Sequence, residues 1–302
     1  MTRKLLLTGG TGLIGKALTL RLLRDGVQVI RLVRRPPLPS KDPRLIDVEW
    51  HPDRPEPLTS LAPLEGCYAA VHLSGANLAA HRWTPSYKRL ILSSRIDSSR
   101  ALGRIFTALT APPPMLVAAS AVGYYGNRGN EVLTESSRPG AGFLPEICQQ
   151  WEAATSVLAP RVVQLRLGVV LSARGGALPR LMRVFRLGMG GRLGNGRAWM
   201  SWVSLDDVVE AIQFVLDEPQ LSGAFNTTSP HPVTNGEFTR NLGIILHRPY
   251  FLRIPAIVLR AALGEMAQEA LLASTRAVPE RLQAAGFLFS HERIEQTLAE
   301  MV

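Results

Sequence analysis

A glycine-rich segment near the start of the chain restricts its possible folds more than any other feature of the sequence. Residues 8–15 read Thr-Gly-Gly-Thr-Gly-Leu-Ile-Gly, after a short apolar run and before an amphipathic stretch. That order predicts a strand, a tight turn and a helix. Glycines in this spacing let the backbone approach a pyrophosphate, which the N–H groups at the helix start can bind. The segment therefore predicts a dinucleotide-binding turn; the alternative is a tight strand–helix turn without a ligand. The predicted contacts are Gly9, Thr11, Gly12, Leu13, Ile14 and Gly15.

Strand-like and helical patterns alternate along the first half of the chain. We predict strands over 4–8, 27–33, 44–50, 68–73, 115–120 and 161–167, and helices over 16–24, 85–109 and 143–158. Such alternation is typical of βαβ units, so we expect an α/β fold, a doubly wound parallel sheet of the Rossmann type with a smaller C-terminal lobe on the substrate side. We assign residues 1–248 to the Rossmann domain, with 175–200 contributing to the lobe, and 249–302 to a C-terminal domain.

The end of the second predicted strand indicates which dinucleotide the turn would hold. A site for NAD places an acidic residue there to bind the ribose 2′-hydroxyl. This strand instead ends in Val33, Arg34 and Arg35, and no acidic residue follows before Asp42. A pair of guanidinium groups suits a 2′-phosphate, so we predict NADP(H) as the cofactor, with these three residues in contact with it. The alternative is that both arginines are only surface charge.

The remaining composition narrows the class of protein. The formal net charge is +10, and it is carried mainly by arginine, which favours anionic ligands or a basic solubilising surface. No nucleic-acid motif is present, so we expect no nucleic-acid partner. Neither the two cysteines nor the six histidines have metal-ligand spacing, and no apolar run is long enough to cross a bilayer. We therefore expect no metal, no membrane partner and a cytoplasmic location.

Beyond the turn, a series of short motifs extends along nearly the whole chain. Together they resemble the atypical extended short-chain dehydrogenase/reductases described as NAD-dependent epimerase/dehydratase-like, and in particular the subgroup of epimerase family proteins with its own C-terminal domain of unknown function. Some members of that subgroup are described as cell-division inhibitor-like. The motifs are residues 73–77, 82–83, 94–95, 120–126, 151–152, 166–171, 185–191, 201–203, 206–208, 225–226, 232–235, 263–266 and 285–287.

The resemblance implies further contacts with the cofactor. Leu73, Ser74 and Gly75 would pass beneath its adenosine and ribose. Arg95, on the long helix, would also contact it; the alternative for Arg95 is an exposed helix charge. Val170 would lie near the nicotinamide, just beyond the strand that carries Arg166, and we count both residues among the cofactor-binding candidates.

The same resemblance implies that the catalytic pair of the wider family is missing from this chain. Enzymes of the wider family use a Tyr-x-x-x-Lys pair, in which the lysine lowers the tyrosine pKa so that the tyrosine can act as an acid or base. This chain has no lysine after Lys88, and aligning Trp151-Glu152 places Leu144 and Cys148 at the two positions. Neither side chain can replace the pair, because leucine carries no exchangeable proton and a lone thiol lacks a basic neighbour. We interpret Cys148 as a packing residue.

Three hydroxyl groups remain as catalytic candidates. In the wider family a serine or threonine at the end of the fifth strand bonds the reacting oxygen of the substrate, and Ser120 lies at that place in a segment one residue longer than usual. Tyr124 and Tyr125 follow it. Tyr124-x-x-x-Arg128 has the spacing of a substitute acid–base pair, whereas Tyr125 is expected to form a wall beside the ring or ribose of the ligand.

Two further polar patterns occur in the second half of the chain. Ser204 and Asp207 have the spacing of a capping box at a helix start. Arg180, Arg183 and Arg186 recur at every third position on one side of a predicted helix. These arginines form either a solvated face or a clamp for a phosphate-bearing substrate.

Two functions remain open. One is an NADP(H)-dependent oxidoreductase or epimerase that uses Ser120 and a tyrosine in a non-standard way on an unknown small-molecule substrate. The other is a regulatory protein that senses NADP without turnover and acts through a protein partner, for example in cell division. The missing Tyr-x-x-x-Lys pair favours the second function, whereas Ser120 and the glycine-rich substrate loops favour the first.

Overall fold

The computed structural model describes residues 3–37, 40–54, 58 and 60–302. Its strands are β1 Lys4–Thr8, β2 Gln28–Val33, β3 Leu45–Glu49, β4 Ala69–His72, β5 Met115–Ala121, β6 Val132–Leu133, β7 Arg161–Leu167, β8 Val169–Leu171, β9 Gly191–Leu193, β10 Trp199–Met200, β11 Trp202–Ser204, β12 Gly223–Thr227, β13 Val233–Thr234, β14 Leu252–Ile254 and β15 Arg276–Ala277. Its α-helices are α1 Leu13–Arg24, α2 Pro85–Ala108, α3 Phe143–Thr155, α4 Leu178–Arg186, α5 Leu205–Asp217, α6 Asn235–Ile245, α7 Ala256–Leu263, α8 Glu280–Ala284 and α9 Ile294–Met301.

Seven parallel strands form the central sheet, in the order β12-β7-β5-β4-β1-β2-β3. The chain moves outward from β1 through β2 to β3, then crosses back to β4 and continues in the other direction. This reversal leaves a crevice at the carboxyl ends of β1 and β4, which is where open α/β sheets bind ligands. The predicted fold, a doubly wound sheet of the Rossmann type, is confirmed.

The sheet is buried on both faces because its strands are almost wholly apolar. In β1, Leu5 and Leu7 point to one face and pack with residues of α1 and α5, whereas Leu6 points to the other face and packs with residues of α2. All three leucines are fully buried. The two helical layers therefore hold the carboxyl ends of the strands in a fixed arrangement.

The C-terminal part of the chain packs into two cores. Phe287 and Phe289 belong to the core between the central sheet and α5, and β15 pairs with β6. Leu298 of α9 packs in a second core with residues of α4 and α6, in the lobe to which residues 175–200 contribute. The division at residue 248 stays a prediction, because the segment after it shares both cores with the segment before it.

Ser204 caps α5, as the sequence predicts. Its hydroxyl accepts a hydrogen bond from the Asp207 N–H at 2.9 Å. The Asp207 carboxylate is fully buried and accepts from the N–H groups of Ser290 and His291 at 2.8 and 3.1 Å. The start of α5 is thereby tied to the C-terminal segment.

Membrane spans and metal sites can be judged only for the part of the chain that the structure describes. Within it, no helix combines the length and the apolar character needed to cross a bilayer. Over the same residues, no group of three or more His, Cys, Asp or Glu side chains is arranged to hold a metal ion.

Candidate functional site

The glycine-rich turn leaves the start of α1 without a competing anion. The Gly12 N–H donates to the Gly9 carbonyl at 3.0 Å, and α1 begins directly afterwards, at Leu13. The helix start has no side-chain cap, and its first turn contains no acidic residue. The N–H groups and the helix dipole at this end are therefore available to a pyrophosphate.

The glycines of the turn are required for different physical reasons. Gly9 adopts a φ of +69°, and a Cβ there would lie 2.6 Å from the Leu73 carbonyl oxygen. A Cβ on Gly15 would overlap the Gly9 carbonyl oxygen. A Cβ on Gly12 would meet a single atom within 4 Å, the Gly9 oxygen at 3.3 Å, which is a tight contact but not an overlap. A side chain at residue 12 would fill the cradle that a pyrophosphate needs.

Arg34 and Arg35 directly follow β2 and are exposed. Among the residues that the structure describes, neither has an ion-pair partner. Arg31, on the same strand, instead donates two hydrogen bonds to the Asp47 carboxylate at 2.7 and 3.0 Å. The two exposed guanidinium groups can therefore receive an anion at the end of the strand next to the turn.

A buried network connects the turn to the segment after β4. The His72 ring lies between two hydroxyl groups, with Nδ1 2.7 Å from Thr8 Oγ1 and Nε2 3.2 Å from Ser99 Oγ. Burial lowers the pKa of His72 to about 4, so the imidazole is neutral near neutral pH. The Leu73 N–H donates to the Thr8 carbonyl at 3.2 Å. Residues 73–75 are thus held beside the turn, and their contact with the adenosine stays a prediction.

Arg95 lies in the interior and not on the exposed side of α2. Its Nη1 donates to the Ile91 carbonyl at 2.9 Å and its Nη2 to the Ala76 carbonyl at 3.2 Å. The guanidinium lies over the Trp151 ring, 4.9 Å from the centroid, and burial lowers its pKa. The alternative of an exposed helix charge is therefore wrong. Arg95 supports the segment after β4, and its contact with a cofactor stays a prediction.

The Ser120 hydroxyl, near the carboxyl end of β5, is engaged by a buried ion pair. Its Oγ donates to Glu152 Oε1 at 2.7 Å. The Glu152 carboxylate also accepts from Nε and Nη2 of Arg166, both at 2.8 Å. Ser120 and Arg166 are buried, and the Glu152 side chain is only 12% exposed. The hydroxyl predicted to meet a substrate is thus directed to a carboxylate of the protein.

Glu152 is a site residue that the sequence analysis used only as a family marker. It lies on α3 four residues after Cys148 and eight after Leu144, so the three side chains share one side of the helix. That spacing, with an acidic residue among apolar positions, was the signal that could have identified it.

The predicted contact of Arg166 with the cofactor needs correction. Two of its guanidinium nitrogens bind Glu152, and Nη1 donates to the Tyr125 hydroxyl at 3.0 Å. Because the side chain is 5% exposed and all three nitrogens are bonded within the protein, we remove Arg166 from the residues in direct contact with a ligand.

The prediction for Tyr125 also needs correction. The residue is fully buried, and its hydroxyl donates to Asn226 Oδ1 at 2.7 Å while accepting from Arg166. Burial raises the pKa of Tyr125 to about 12. Tyr125 has no exposed surface with which to form a ligand wall or to exchange a proton with a substrate.

Tyr124 does not form the substitute pair with Arg128. The Arg128 guanidinium binds the Glu131 carboxylate at 2.7 and 2.9 Å. The Arg166 guanidinium instead lies over the Tyr124 ring, 3.5 Å from the centroid of the ring. Tyr124 is half-buried and stays a catalytic candidate on its own.

Leu144 and Cys148 are buried at the positions of the absent Tyr-x-x-x-Lys pair. Both face the turn after β5, because a Cβ on Gly123 would lie 3.4 Å from Leu144 Cβ and 3.8 Å from Cys148 Sγ. Burial raises the pKa of the Cys148 thiol to about 12. Cys148 packs as predicted, and apolar contacts fill the place of an acid–base pair.

A cavity of about 370 Å³ lies on the outer side of the turn. It contains two exposed cations that the sequence analysis did not single out, Lys16 in the first turn of α1 and Arg174 in the loop after β8. Val170, on β8, is half-buried against the central core, and its contact with the nicotinamide stays a prediction. The residues lining the cavity are Thr11, Gly12, Leu13, Lys16, Ala17, Leu20, Arg174, Gly175 and Leu205.

The three arginines of α4 lie on its solvent side. Arg180, Arg183 and Arg186 are exposed, whereas the apolar residues of the helix pack in the lobe. Arg180 Nη1 donates to the carbonyl of Ala79, in the loop after β4, at 3.2 Å. α4 therefore reaches the edge of the crevice, and a clamp for a phosphate-bearing substrate stays a prediction.

Comparison with known proteins matches both parts of the chain. The NAD dependent epimerase/dehydratase family matches residues 5–227, and a domain of unknown function, DUF1731, matches residues 254–301. An epimerase family protein of Mycobacterium bovis is 42% identical over 299 residues, which are 97% of this chain and 95% of that protein.

Two solved structures resemble the whole chain. The crystal structure of human epimerase family protein SDR39U1 with NADPH has a TM-score of 0.87 at 29% identity, over 99% of this chain and 98% of that one. A short-chain dehydrogenase/reductase superfamily protein from Agrobacterium tumefaciens with bound NAD has a TM-score of 0.72 at 19% identity, over 99% and 97% of the two chains. The second likeness shows the fold alone.

Proposed function

The chain belongs to the NAD dependent epimerase/dehydratase family, and we propose that it binds NADP(H) in preference to NAD(H) as an epimerase/oxidoreductase-like protein without the Tyr-x-x-x-Lys pair. The observation that carries this proposal is the uncapped start of α1 beside the exposed side chains of Arg34 and Arg35. The pyrophosphate would bind beside Gly12, and the 2′-phosphate would bind the arginine pair. The nicotinamide would supply hydride chemistry when bound.

The comparisons support a nicotinamide cofactor more strongly than they support either form of it. The human relative was crystallised with NADPH, whereas the more distant Agrobacterium tumefaciens protein holds NAD. Family membership therefore leaves the choice to the residues after β2, where this chain has two arginines and no carboxylate before Asp42.

Titration calorimetry with NADPH and NADH tests the choice of cofactor. We expect NADPH to bind roughly 10- to 100-fold more tightly, since a hydrogen bond to a charged group contributes about 1.5–3 kcal/mol. Arg34→Gln combined with Arg35→Gln should remove this advantage and leave NADH binding unchanged. Arg104→Gln, at an exposed position of α2, is the matched control and should change neither affinity. Equal affinities in the unaltered protein would overturn the assignment of NADP(H).

The proposal also implies weak turnover of ordinary sugar-nucleotide or carbonyl substrates. Leu144 and Cys148 are buried where the acid–base pair would lie, and Ser120 donates to Glu152. General acid–base catalysis contributes about 100- to 10,000-fold, so its loss would lower turnover and not cofactor affinity. Tyr124 is the half-buried hydroxyl that we retain for contact with a substrate.

The same packing favours a second function, a protein that binds NADP without turnover and acts through a protein partner. Such a protein needs the turn and the arginine pair but no acid or base. The resemblance to cell-division inhibitor-like proteins suggests division as the process. The free, buried thiols of Cys67 and Cys148 support a cytoplasmic location.

A turnover panel separates the two functions. NADPH oxidation and epimer formation are followed with sugar nucleotides and small carbonyl compounds. Brisk turnover that is lost in Ser120→Ala or Tyr124→Phe would refute the sensing function and identify the catalyst. NADPH binding without turnover over the whole panel would support it.

A further inference from the structure

The net charge of the chain is concentrated in the lobe. Residues 167–205 and 238–264 contain ten arginines and no Asp, Glu or Lys. Because the whole chain has a formal net charge of +10, the remainder of the sequence is formally neutral. An uneven distribution of this kind marks a surface for a negatively charged partner more than a general aid to solubility.

The structure places most of these arginines at the surface. Of the ten, nine are exposed, and none forms an ion pair with any residue whose position is described. Arg192 of β9 and Arg253 of β14 are direct neighbours in the register of the two strands. Like charges at neighbouring strand positions repel each other. An anion over this pair would relieve the repulsion.

Large apolar side chains are exposed among the arginines. Phe251, just before β14, is 72% exposed, and Ile257, in the first turn of α7, is 74% exposed. Of the eight residues of α7, Leu259 alone is buried, so the apolar outer side of the helix faces solvent. The other exposed large apolar residues of these segments are Val169, Val184, Leu187, Met189, Ile244, Tyr250, Leu252 and Val258.

Most of these side chains lie in two stretches, residues 184–193 and 250–260, which adjoin each other. The pairing of β9 with β14 places the turn after α4 beside Phe251. Gly194, directly after β9, adjoins Ala256 at the start of α7, since a Cβ on the glycine would lie 4.0 Å from the Cβ of Ala256. We call residues 184–193 and 250–260 the lobe surface.

We propose that the lobe surface docks the protein on an anionic lipid bilayer. Apolar and aromatic side chains that enter the headgroup region, surrounded by arginines, are the features of an interfacial membrane-binding surface. Anionic headgroups supply negative charge over the whole face, so the scattered arginines need no individually placed carboxylates. The protein would lie on the bilayer and not cross it, which revises the expectation of no membrane partner.

Docking would also orient the crevice. α4, which borders the lobe surface, contacts Ala79 in the loop after β4 through Arg180. The crevice at the carboxyl ends of β1 and β4 would therefore lie close to the bilayer. Docking through the lobe surface would not depend on which cofactor is bound.

Sedimentation with sucrose-loaded vesicles tests the proposal on the full chain. We expect binding to equimolar phosphatidylcholine and phosphatidylglycerol, no binding to phosphatidylcholine alone, and release by salt. Arg253→Gln combined with Arg260→Gln should weaken binding by about fivefold for each arginine. Phe251→Ser combined with Ile257→Ser should weaken it by about tenfold or more.

Two exposed positions outside the lobe surface provide matched controls. Arg104→Gln on α2 and Val157→Ser after α3 should bind vesicles as the unaltered protein does. Circular dichroism of every variant reports whether it is folded. Equal sedimentation with both kinds of vesicle, or no sedimentation with either kind, would overturn the proposal. Binding that is unchanged after the loss of Phe251 and Ile257 would overturn it as well. So would a lipid-free dimer that dissociates when these two side chains are lost, because the surface would then be an interface with a second copy.

Discussion

Removal of the Glu152 carboxylate should lower the free energy of unfolding by about 3–5 kcal/mol. Glu152→Ala deletes the acceptor of three hydrogen bonds, one from Ser120 at 2.7 Å and two from Arg166 at 2.8 Å. It leaves the guanidinium charged at a position where the Arg166 side chain is 5% exposed. Burial by itself lowers the pKa of Arg166, but the hydrogen bonds and charges of Glu152 and Tyr125 together outweigh burial and raise it, and the Glu152 hydrogen bond is the largest of these contributions. The cation therefore depends on this carboxylate.

Urea unfolding followed by tryptophan fluorescence measures the loss. Glu146→Ala is the matched control, because Glu146 lies on the same helix, is exposed and accepts a single hydrogen bond from Gln150. Its loss should cost less than about 1 kcal/mol. Arg166→Met combined with Glu152→Ala removes the charge together with its partner, so the double variant should lose less stability than the two single variants together.

The expected loss is large only because the guanidinium is buried. A loss below about 1 kcal/mol in Glu152→Ala would refute it, because water would then solvate Arg166 as well as the carboxylate does. Strict additivity of the two single variants would refute it independently, since it would show that the paired side chains do not stabilise each other.

Two further predictions concern the turn and its support. Gly12→Val should stay folded but lose NADPH binding, because its side chain would fill the pyrophosphate cradle; circular dichroism and titration measure this, and a folded variant of normal affinity would contradict it. Between pH 6.5 and 4 the free energy of unfolding of the unaltered protein should fall by about 2–3 kcal/mol more than that of His72→Gln. Burial lowers the pKa of His72 to about 4, so the unfolded chain takes up the proton first as the pH falls, and the stabilisation is complete only above the ordinary histidine pKa. Equal pH slopes in urea unfolding of the two proteins would exclude this account.

The Rossmann part of the fold was accessible from the sequence because its signals are local. β1 has the predicted bounds, Lys4–Thr8, since an apolar run and the glycine after it mark the strand. α1 begins at Leu13 and not at residue 16, because the turn closes at Gly12 and the helix follows at once. The two-residue strands β6 and β15 were not predicted, since each is too short to show a period and they lie far apart in the sequence.

The catalytic side of the site was less accessible because it depends on contacts between distant residues. A sequence position indicates which strand end a residue follows, but not whether its side chain turns toward the crevice or into the core. Tyr125 is buried through its hydrogen bonds to Arg166 and Asn226, and the second of these partners lies 101 residues away. Arg95 is buried against Trp151 of another helix. Neither contact leaves a periodic pattern in the sequence.

The C-terminal segment explains how α3 keeps its position with apolar residues in place of the acid–base pair. The Glu269 carboxylate accepts from the N–H groups of Phe143 and Leu144 at 2.9 and 2.8 Å, so a residue of the distant segment caps the helix. Thr275 Oγ1 donates to the Gly126 carbonyl at 2.9 Å and so holds the loop that Leu144 faces. Residues within 254–301 thus fix both α3 and the loop against which Leu144 packs. Because these contacts do not involve the side chains at 144 and 148, those two positions can be apolar without loosening α3.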